Sequence, residues 1–474
     1  MMETVFIGKG DTMDFLNSAV GAINDFLWTY IIIVVLVGCG LWFTLSTKLV
    51  QLRALPEMVR LLAGDLGRRP SGRKAISSFQ AFCVSTASRV GVGNIAGVAI
   101  AIVTGGPGAV FWMWAIAFVG TATGFVESTL AQIYKIPRGH GLFHGGPAYY
   151  IQNALGQPAV AKLFAVLISV TFGLIYVSVQ ANTIALSMEK AFGIDTWVMG
   201  GILAVLSGAV IFGGIHRIAN FTTLLVPFMA GLYLLIALVV VIMHINEVPG
   251  MFALILHDAF SPQAAVGGGL GTVILTGIRR GLFSNEAGEG SIPNAAATAN
   301  VTHPVKQGLV QAFGVYVDTW IVCSATAFIV LLTGQYTIGG DVSGIALAQD
   351  SLASVFGTWA SSLLSILIFL FAFSSVVGNY YYGEINIHFF GANVKTALNL
   401  YRAAVVVMVF FGCVAAFQLV WNLADLFMAM ICLTNLYAIG RLAPLARIVG
   451  LDFRRLKILP VVRAQPSNEL KWDL

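Results

Sequence analysis

Charged residues are scarce in this chain. Asp, Glu, Lys and Arg make up 10% of its 474 residues, 58% are hydrophobic, and the mean hydropathy is +0.87. Soluble globular domains carry about 25% charged residues, so this composition indicates a protein that crosses a membrane several times. The formal net charge of +5 is too small to indicate a nucleic-acid-binding protein.

Cysteine pairs, a basic leader and the usual enzyme motifs are also missing. The five cysteines stand singly in apolar segments, which indicates buried thiols and neither a disulfide framework nor a metal cluster. Residues 1–24 lack the basic start of a signal peptide, so the first apolar segment is predicted to be a retained span. No Gly-x-x-x-x-Gly-Lys-Ser/Thr loop occurs, which argues against an ATP-driven pump. No nucleophile–base pair is readable either, so we expect no catalytic residue and no enzymatic cofactor.

Apolar windows long enough to cross a bilayer are abundant and predict an all-α polytopic membrane protein with about eleven transmembrane helices. These helices are predicted near residues 25–45, 79–104, 108–134, 160–188, 196–214, 219–244, 273–300, 306–333, 360–386, 400–416 and 419–440. The run 273–300 is too polar for an ordinary span, and 340–356 is predicted as a short re-entrant or surface helix.

The charges of the connecting loops predict the orientation. Lys and Arg are concentrated in the segment 46–78 and in the tail after residue 440, whereas 334–359 contains neither. By the positive-inside rule, the N-terminus lies outside and the C-terminus lies in the cytoplasm. Eleven spans agree with this orientation, because an odd number of spans puts the two termini on opposite sides of the membrane. We therefore expect a multi-pass protein of the plasma (inner) membrane.

Two similar glycine motifs indicate an internal repeat. Gly91-Val-Gly93-Asn94-Ile95 has a counterpart in Gly288-Glu-Gly290-Ser291-Ile292, and each motif lies in the first span of a run of five helices. Because five is odd, the two runs start on opposite sides of the membrane. Interrupted helices at matching positions of inverted halves are typical of a transporter site. The predicted parts are 1–78 (an extra N-terminal helix and a basic loop), 79–244 (first repeat), 245–272 (external loop), 273–440 (second repeat) and 441–474 (basic cytoplasmic tail).

The two interruptions supply candidate ligands for a small polar solute. Gly91 and Gly93 relax the first helix, the Asn94 amide both donates and accepts, and half-helix ends present N–H groups to anions and carbonyls to cations. In the second interruption, Ser284 and Asn285 are candidate ligands of an ion or solute. The alternative interpretation of the glycines is that they only allow close helix packing.

Three further polar residues lie in apolar helices that the repeat places nearby. Gln180 suits a zwitterion because its amide donates to a carboxylate and accepts from an ammonium; the alternative is an interhelical hydrogen bond. Ser374 and Ser375 are predicted to complete an all-oxygen cage for a monovalent cation with unwound carbonyls of the first broken helix. The alternative is that both serines bond to their own helix.

Charged residues inside predicted spans are candidates for proton transfer or cation passage. Glu127, Asp318 and Asp425 have no partner that the sequence reveals. Glu286 and Glu289 are either functional or structural, and in the second case they would pair with an arginine (Arg279, Arg280 or Arg89).

The motifs together resemble those of the alanine/glycine:cation symporter family, from the first span through the eleventh. The segments that carry the resemblance are Phe79-Gln-Ala81, Val90-Gly-Val-Gly-Asn-Ile-Ala-Gly97, Gly105-Gly-Pro-Gly-Ala-Val-Phe-Trp-Met-Trp114, Val179-Gln-Ala-Asn182, Phe283-Ser-Asn-Glu-Ala-Gly288 and Pro293-Asn-Ala-Ala-Ala. The resemblance implies sodium-coupled uptake of alanine, glycine or a similar small neutral amino acid. It also implies the leucine-transporter (LeuT-like) fold, a 5+5 inverted repeat, with one added N-terminal helix.

Site residues are carried over from this resemblance by position. The substrate-binding set it implies is Gly91, Gly93, Asn94, Gln180, Phe283, Ser284 and Asn285, and the sodium-binding set is Val90, Asn94, Ser374 and Ser375. The chain departs from the family pattern at Arg89 and Val92, where many members have threonine. A permanently charged Arg89 is expected to need a partner, either the substrate carboxylate or an intramembrane carboxylate (Glu127, Glu286 or Asp318).

The sequence thus predicts a secondary symporter that binds an amino acid and sodium near the bilayer midplane and works by alternating access. Sodium is favoured because the cage consists of neutral oxygens, while the buried carboxylates keep proton coupling open. A proton-coupled transporter of another small solute, an ion channel and a substrate sensor are the alternatives. No obligate protein partner is indicated, and the lipid bilayer is the expected surrounding.

Overall fold

Helices account for nearly all of the regular structure. The computed structural model describes residues 18–65, 75–139, 141–212, 214–261, 271–342, 344–391 and 394–458, without the side chains of 214–217 and 451–458. The first helices are α1 (Ser18–Ser46), α2 (Leu55–Asp65), α3 (Ser78–Arg89), α4 (Gly93–Gly105), α5 (Gly108–Ile133), α6 (Pro147–Leu155), α7 (Pro158–Phe192), α8 (Thr196–Ile211) and α9 (Gly214–Met243). The others are α10 (Val248–Ala259), α11 (Thr272–Asn285), α12 (Ile292–Thr298), α13 (Pro304–Thr333), α14 (Gly344–Phe356), α15 (Thr358–Phe389), α16 (Val394–Val414) and α17 (Phe417–Ile458). A single turn, Val50–Arg53, precedes α2, and a two-stranded antiparallel hairpin, β1 (Ile136–Pro137) and β2 (Phe143–His144), follows α5.

The predicted all-α polytopic class is confirmed, but the count of eleven spans is not. Within the described ranges, eight helices are long and apolar enough to cross a bilayer, or nine if α3 and α4 form one bent span. Two predicted spans fall short of that criterion. Helix α8 is apolar but short, and the segment 273–300 is divided into α11 and α12, whose break is polar.

Three predicted boundaries differ from the structure. The segment 245–272, predicted as a loop, contains α10, whose apolar face packs on α5. The stretch 340–356 forms α14, which packs against α4, α13 and α15. The last span does not end at 440, because α17 continues as a helix to Ile458 past Pro444. Residues 1–17, 66–74 and 459–474, parts of the predicted terminal regions, lie outside the described residues.

The two interrupted helices lie inside the bundle. Helices α3 and α4 meet at an angle of 51°. Helix α11 packs against both α4 and α5, and α15 packs against both α3 and α7. Peripheral helices instead expose large apolar side chains, such as Val205 (74% exposed) and Leu224 (80%), as a surface in contact with lipid does. The polar breaks are therefore enclosed by protein.

Candidate functional site

The first break spans Val90 to Val92, and other polar groups satisfy the backbone that it frees. The Gly91 N–H donates to the Asn94 side-chain oxygen (3.0 Å). The Val92 N–H donates to Gln180 Oε1 on α7 (3.1 Å). These two bonds fix the ends of the break to α4 and α7, since a buried backbone N–H without a partner is costly.

Close neighbours leave no room for a side chain at Gly91 and little room for one at Gly93, where α4 begins. A Cβ at Gly91 would lie 2.3 Å from Ser375 Oγ and 2.8 Å from Gln180 Oε1. A Cβ at Gly93 would lie 3.1 Å from the Phe283 ring and 3.2 Å from the Ser284 Cα. The first break therefore contacts both the serine pair of α15 and the end of α11.

The second break runs from Glu286 to Ser291 and turns through three residues with positive φ, namely Glu286 (57°), Gly288 (102°) and Gly290 (80°). Side chains again bind the freed backbone. Asn285 Oδ1 accepts from the Ala287 N–H (3.0 Å), and Glu127 Oε1 accepts from the Gly288 N–H (3.3 Å).

Asp318 of α13 joins the two broken helices. Its Oδ1 accepts from Asn94 Nδ2 (2.7 Å), and its Oδ2 accepts from the Ser284 and Thr319 hydroxyls (2.8 Å each). The four side chains are fully buried. The carboxylate and the two hydroxyl oxygens are ligands of the type that a hard cation prefers, whereas Asn94 turns its NH2 group toward Asp318.

The serine pair lies on the other side of the first break. Ser375 Oγ donates to the Ala87 carbonyl near the end of α3 (2.8 Å), and Ser374 Oγ lies 3.5 Å from the same oxygen. Both hydroxyls also bond to the Phe371 carbonyl of their own helix (3.1 and 2.8 Å). Both serines thus bond to their own helix, as the alternative interpretation expected, and the cation cage stays a prediction.

Aromatic side chains cover the space beside the breaks. The Phe283 ring lies between Tyr176 and Trp421, with ring centroids 4.9 Å away on each side. Arg280 lies over the Trp421 ring (4.9 Å to the centroid). Phe283 is thus held in place by packing on α7 and α17.

Arg89 does not form the ion pair expected from the sequence. Its guanidinium donates to Gln311 Oε1 (3.1 Å) and reaches the Gln311 and Ser85 carbonyls at 3.4 Å. Gly314 leaves the space for it, because a Cβ there would lie 2.3 Å from Arg89 Nη2. Among the described residues, no carboxylate lies within 4.0 Å of this guanidinium.

Two of the carboxylates considered as partners of Arg89 have neutral donors instead. Glu286 accepts from Ser88 (2.7 Å) and Ser291 (2.5 Å). Glu127 Oε2 accepts from Asn435 Nδ2 (2.9 Å). Arg280 and Arg279, which were considered as partners of Glu286, instead pair with Asp425 of α17. Arg280 is in direct contact with the Asp425 carboxylate, and Arg279 lies 3.5 Å from it.

The Asp425→Asn variant is expected to lower stability. The substitution keeps the side-chain shape but leaves Arg279 and Arg280 buried without a counter-charge, which typically costs about 3–5 kcal/mol. Asp350→Asn is the matched control, because its partner Lys190 (2.6 Å) is largely exposed and such pairs contribute about 0–1 kcal/mol. Thermal unfolding in detergent should show a drop of several degrees for the first variant only, and equal midpoints would contradict this account of the ion pair.

The structure brings most of the sequence-predicted site residues together. Gly91, Gly93, Asn94, Gln180, Phe283, Ser284 and Ser375 contact one another directly or through one shared neighbour. Asn285 is connected to this group through Thr319: its Nδ2 lies 3.4 Å from Thr319 Oγ1, and the Thr319 hydroxyl donates to Asp318. Sequence reasoning assigned Asp318 no ligand role and overlooked Thr319. The available signal was the adjacent polar pair Asp318-Thr319 in an otherwise apolar span.

Comparisons with known proteins agree with this architecture. Residues 13–458 match the sodium:alanine symporter family. The chain is 50% identical over 442 residues to the probable sodium/glutamine symporter GlnT of Bacillus subtilis (strain 168), covering 93% of this chain and 91% of that protein. It is 50% identical over 460 residues to the amino-acid carrier protein AlsT of the same organism, covering 96% and 97%.

A solved structure shows the same fold at low sequence identity. MhsT in complex with L-phenylalanine superposes with a TM-score of 0.58 at 14% identity, covering 81% of this chain and 99% of that chain. The fold is accordingly the leucine-transporter fold that the sequence predicts. The two relatives are named as a symporter and a carrier protein, so they are transporters and not enzymes.

Proposed function

Because the chain belongs to the sodium:alanine symporter family, we propose that it couples the uptake of a small neutral amino acid to the inward movement of sodium. Alanine and glycine are the first candidate substrates. Glutamine is a third, since it appears in the name of a relative that is 50% identical. The observation that carries the proposal is the convergence of both broken helices on Asp318.

The first sodium site is assigned to Asp318 and the oxygens around it. Asn94 and Ser284 contact the carboxylate from the two broken helices, and Thr319 contacts it from α13. A bound cation offsets the cost of burying the Asp318 carboxylate as an anion. Sodium supplies the positive charge without the precise ligand geometry that a smaller divalent ion demands. When sodium is bound, the oxygens of the Ser284 and Thr319 hydroxyls would coordinate the ion through their lone pairs.

A second cation position is assigned to Ser374 and Ser375 together with backbone carbonyls near Val90. The supporting contact is that of both hydroxyls with the Ala87 carbonyl. This position is made of neutral oxygens only, so it favours a hard monovalent cation over a proton.

The substrate is assigned to the space between the breaks. The start of α4, at Gly93 and Asn94, presents backbone N–H groups to the α-carboxylate, and the carbonyls at the end of α11 face the ammonium. Gln180 holds the break open by binding the Val92 N–H. Phe283 covers the bound molecule. Sodium bound to Asn94 and Ser284 would then order the same two segments that hold the substrate, which couples the two binding events.

The transport cycle and the orientation follow from the same assignment. Rocking of the bundle that contains the broken helices exposes the site to one side at a time. The loop charges support an orientation with the N-terminus outside and the C-terminus on the cytoplasmic side of the inner membrane. The predicted division into two five-helix repeats, 79–244 and 273–440, supplies the symmetry for this motion.

Uptake of labelled alanine into proteoliposomes tests the proposal. With an inward sodium gradient, uptake should exceed that of protein-free vesicles severalfold, and replacing sodium with choline should abolish the excess. Uptake that proceeds unchanged under a proton gradient alone, without sodium, would contradict the assignment of sodium as the coupling ion.

A further inference from the structure

Glu289 has fewer hydrogen bonds than the three other buried carboxylates that contact the two breaks. Both oxygens of Glu127, Glu286 and Asp318 accept from a donor. Glu289, in the second break, is fully buried, and its Oε2 accepts from the Tyr176 hydroxyl at 3.2 Å. Its Oε1 has no hydrogen-bond partner within the described part of the chain.

Burying an acceptor without a hydrogen-bond partner raises the free energy of the folded protein. Leaving a buried polar group unsatisfied costs about 1–3 kcal/mol, and more when the group is charged. Native proteins pair nearly all such groups, and exceptions occur where a ligand completes the set. Glu289 therefore has the chemistry of a hydrogen-bond acceptor that a bound molecule completes.

The position of Glu289 indicates which part of a substrate would reach it. Tyr176, which holds its other oxygen, lies one helical turn before Gln180 on the same face of α7. Gln180 binds the first break, and the Tyr176 ring packs on Phe283. Tyr176 therefore links Glu289 to Phe283 and lies on the same helix face as the residue that binds the first break. The part of a substrate that would reach Glu289 is its side chain, beyond the groups that the two breaks hold.

We propose that Glu289 accepts a hydrogen bond from the side-chain carboxamide of the substrate, so that the site selects glutamine over apolar side chains of similar length. The inference rests on the proposed function, because it places the substrate between the breaks. A carboxamide N–H supplies the missing bond at Oε1 and adds no net charge to a closed site. The Tyr176 hydroxyl keeps the carboxylate oriented toward it.

Competition in the unmodified protein tests the specificity. Glutamine should inhibit sodium-driven uptake of labelled alanine at least tenfold more strongly than methionine, because a site built for a hydrogen bond rejects an analogue that lacks the donor. Glutamate should inhibit more weakly still, because its side chain brings a second carboxylate to Glu289. Inhibition by lysine as strong as that by glutamine would overturn the inference, because it would show selection for charge.

Substitution tests the residue itself. The readout is the ratio of kcat/KM for glutamine to kcat/KM for alanine, which is insensitive to the amount of folded protein. Glu289→Leu should lower this ratio at least tenfold, and Glu289→Gln, which keeps an acceptor oxygen, should lower it less. Glu247→Leu, at an exposed glutamate, is the control and should leave the ratio unchanged. A ratio that stays the same in both Glu289 variants would overturn the inference.

The two proposals fail in different ways. If alanine uptake does not depend on sodium, the proposed function fails whatever Glu289 does. If alanine uptake is sodium-driven but glutamine does not compete, only the carboxamide inference fails. The same holds if the ratio of kcat/KM for glutamine to that for alanine does not change in the Glu289 variants.

Discussion

Sodium-driven alanine uptake is expected to fall by roughly a hundredfold or more when Asp318 is replaced by asparagine. The carboxylate accepts three hydrogen bonds from buried groups, and bonds to a charged group are worth about 1.5–3 kcal/mol each. Asparagine retains one acceptor oxygen and introduces an NH2 group, which faces the donors of Asn94 or Ser284. It also removes the negative charge that balances sodium in the proposed site.

The sodium dependence distinguishes this role from a merely structural one. If Asp318 binds sodium, the variant should need a much higher sodium concentration for any residual uptake, which a smaller amount of folded protein would not cause. Asp350→Asn carries the same substitution at an exposed ion pair and should transport as the unmodified protein does. Near-normal uptake with an unchanged sodium requirement in Asp318→Asn would contradict the first sodium assignment.

Gly91→Ala is expected to reduce uptake at least tenfold, whereas Gly97→Ala should be tolerated. The added methyl group at position 91 would overlap Ser375 Oγ and Gln180 Oε1, at 2.3 and 2.8 Å. Neither atom is free to move, because Ser375 is bonded to the Ala87 carbonyl and Gln180 to the Val92 N–H. Overpacking of this kind costs about 1–3 kcal/mol, and here it displaces both sides of the break.

Gly97, in the adjoining helix α4, gives a matched control. Its nearest neighbour for a new Cβ is a Trp421 ring atom at 3.8 Å, which is an ordinary contact. Initial rates of alanine uptake, normalised to the amount of reconstituted protein, provide the comparison. If both alanine variants transport equally well, the first break does not require glycine at 91, and the close approach of α4 to α15 is not needed for function.

The sequence allowed the fold and the location of the site to be predicted for physical reasons. Scarce charge and long apolar windows are direct consequences of the bilayer, so the all-α class follows from composition. Gly91, Gly93 and the polar run after Ser284 violate the rules for a lipid-facing helix, and such violations mark functional segments. The leucine-transporter fold came from motif resemblance, and it was confirmed by structural similarity.

Pairing between side chains could not be predicted, because it depends on how helices distant in sequence approach each other. Arg89 shows this most clearly: a charged residue predicted to need a carboxylate is held by Gln311 in a space left by Gly314. Asp425 had no visible partner in the sequence, yet it pairs with Arg279 and Arg280. Helix ends were equally inaccessible, since α17 continues through a proline that local rules treat as a helix breaker.

Simultaneous measurement of labelled alanine and radioactive sodium in the same proteoliposomes tests the central claim most directly. With equal sodium on both sides and no membrane potential, an inward alanine gradient should drive sodium into the vesicles, and Asp318→Asn should abolish this entry. Alanine accumulation without any sodium entry above the alanine-free control would contradict sodium symport by this protein.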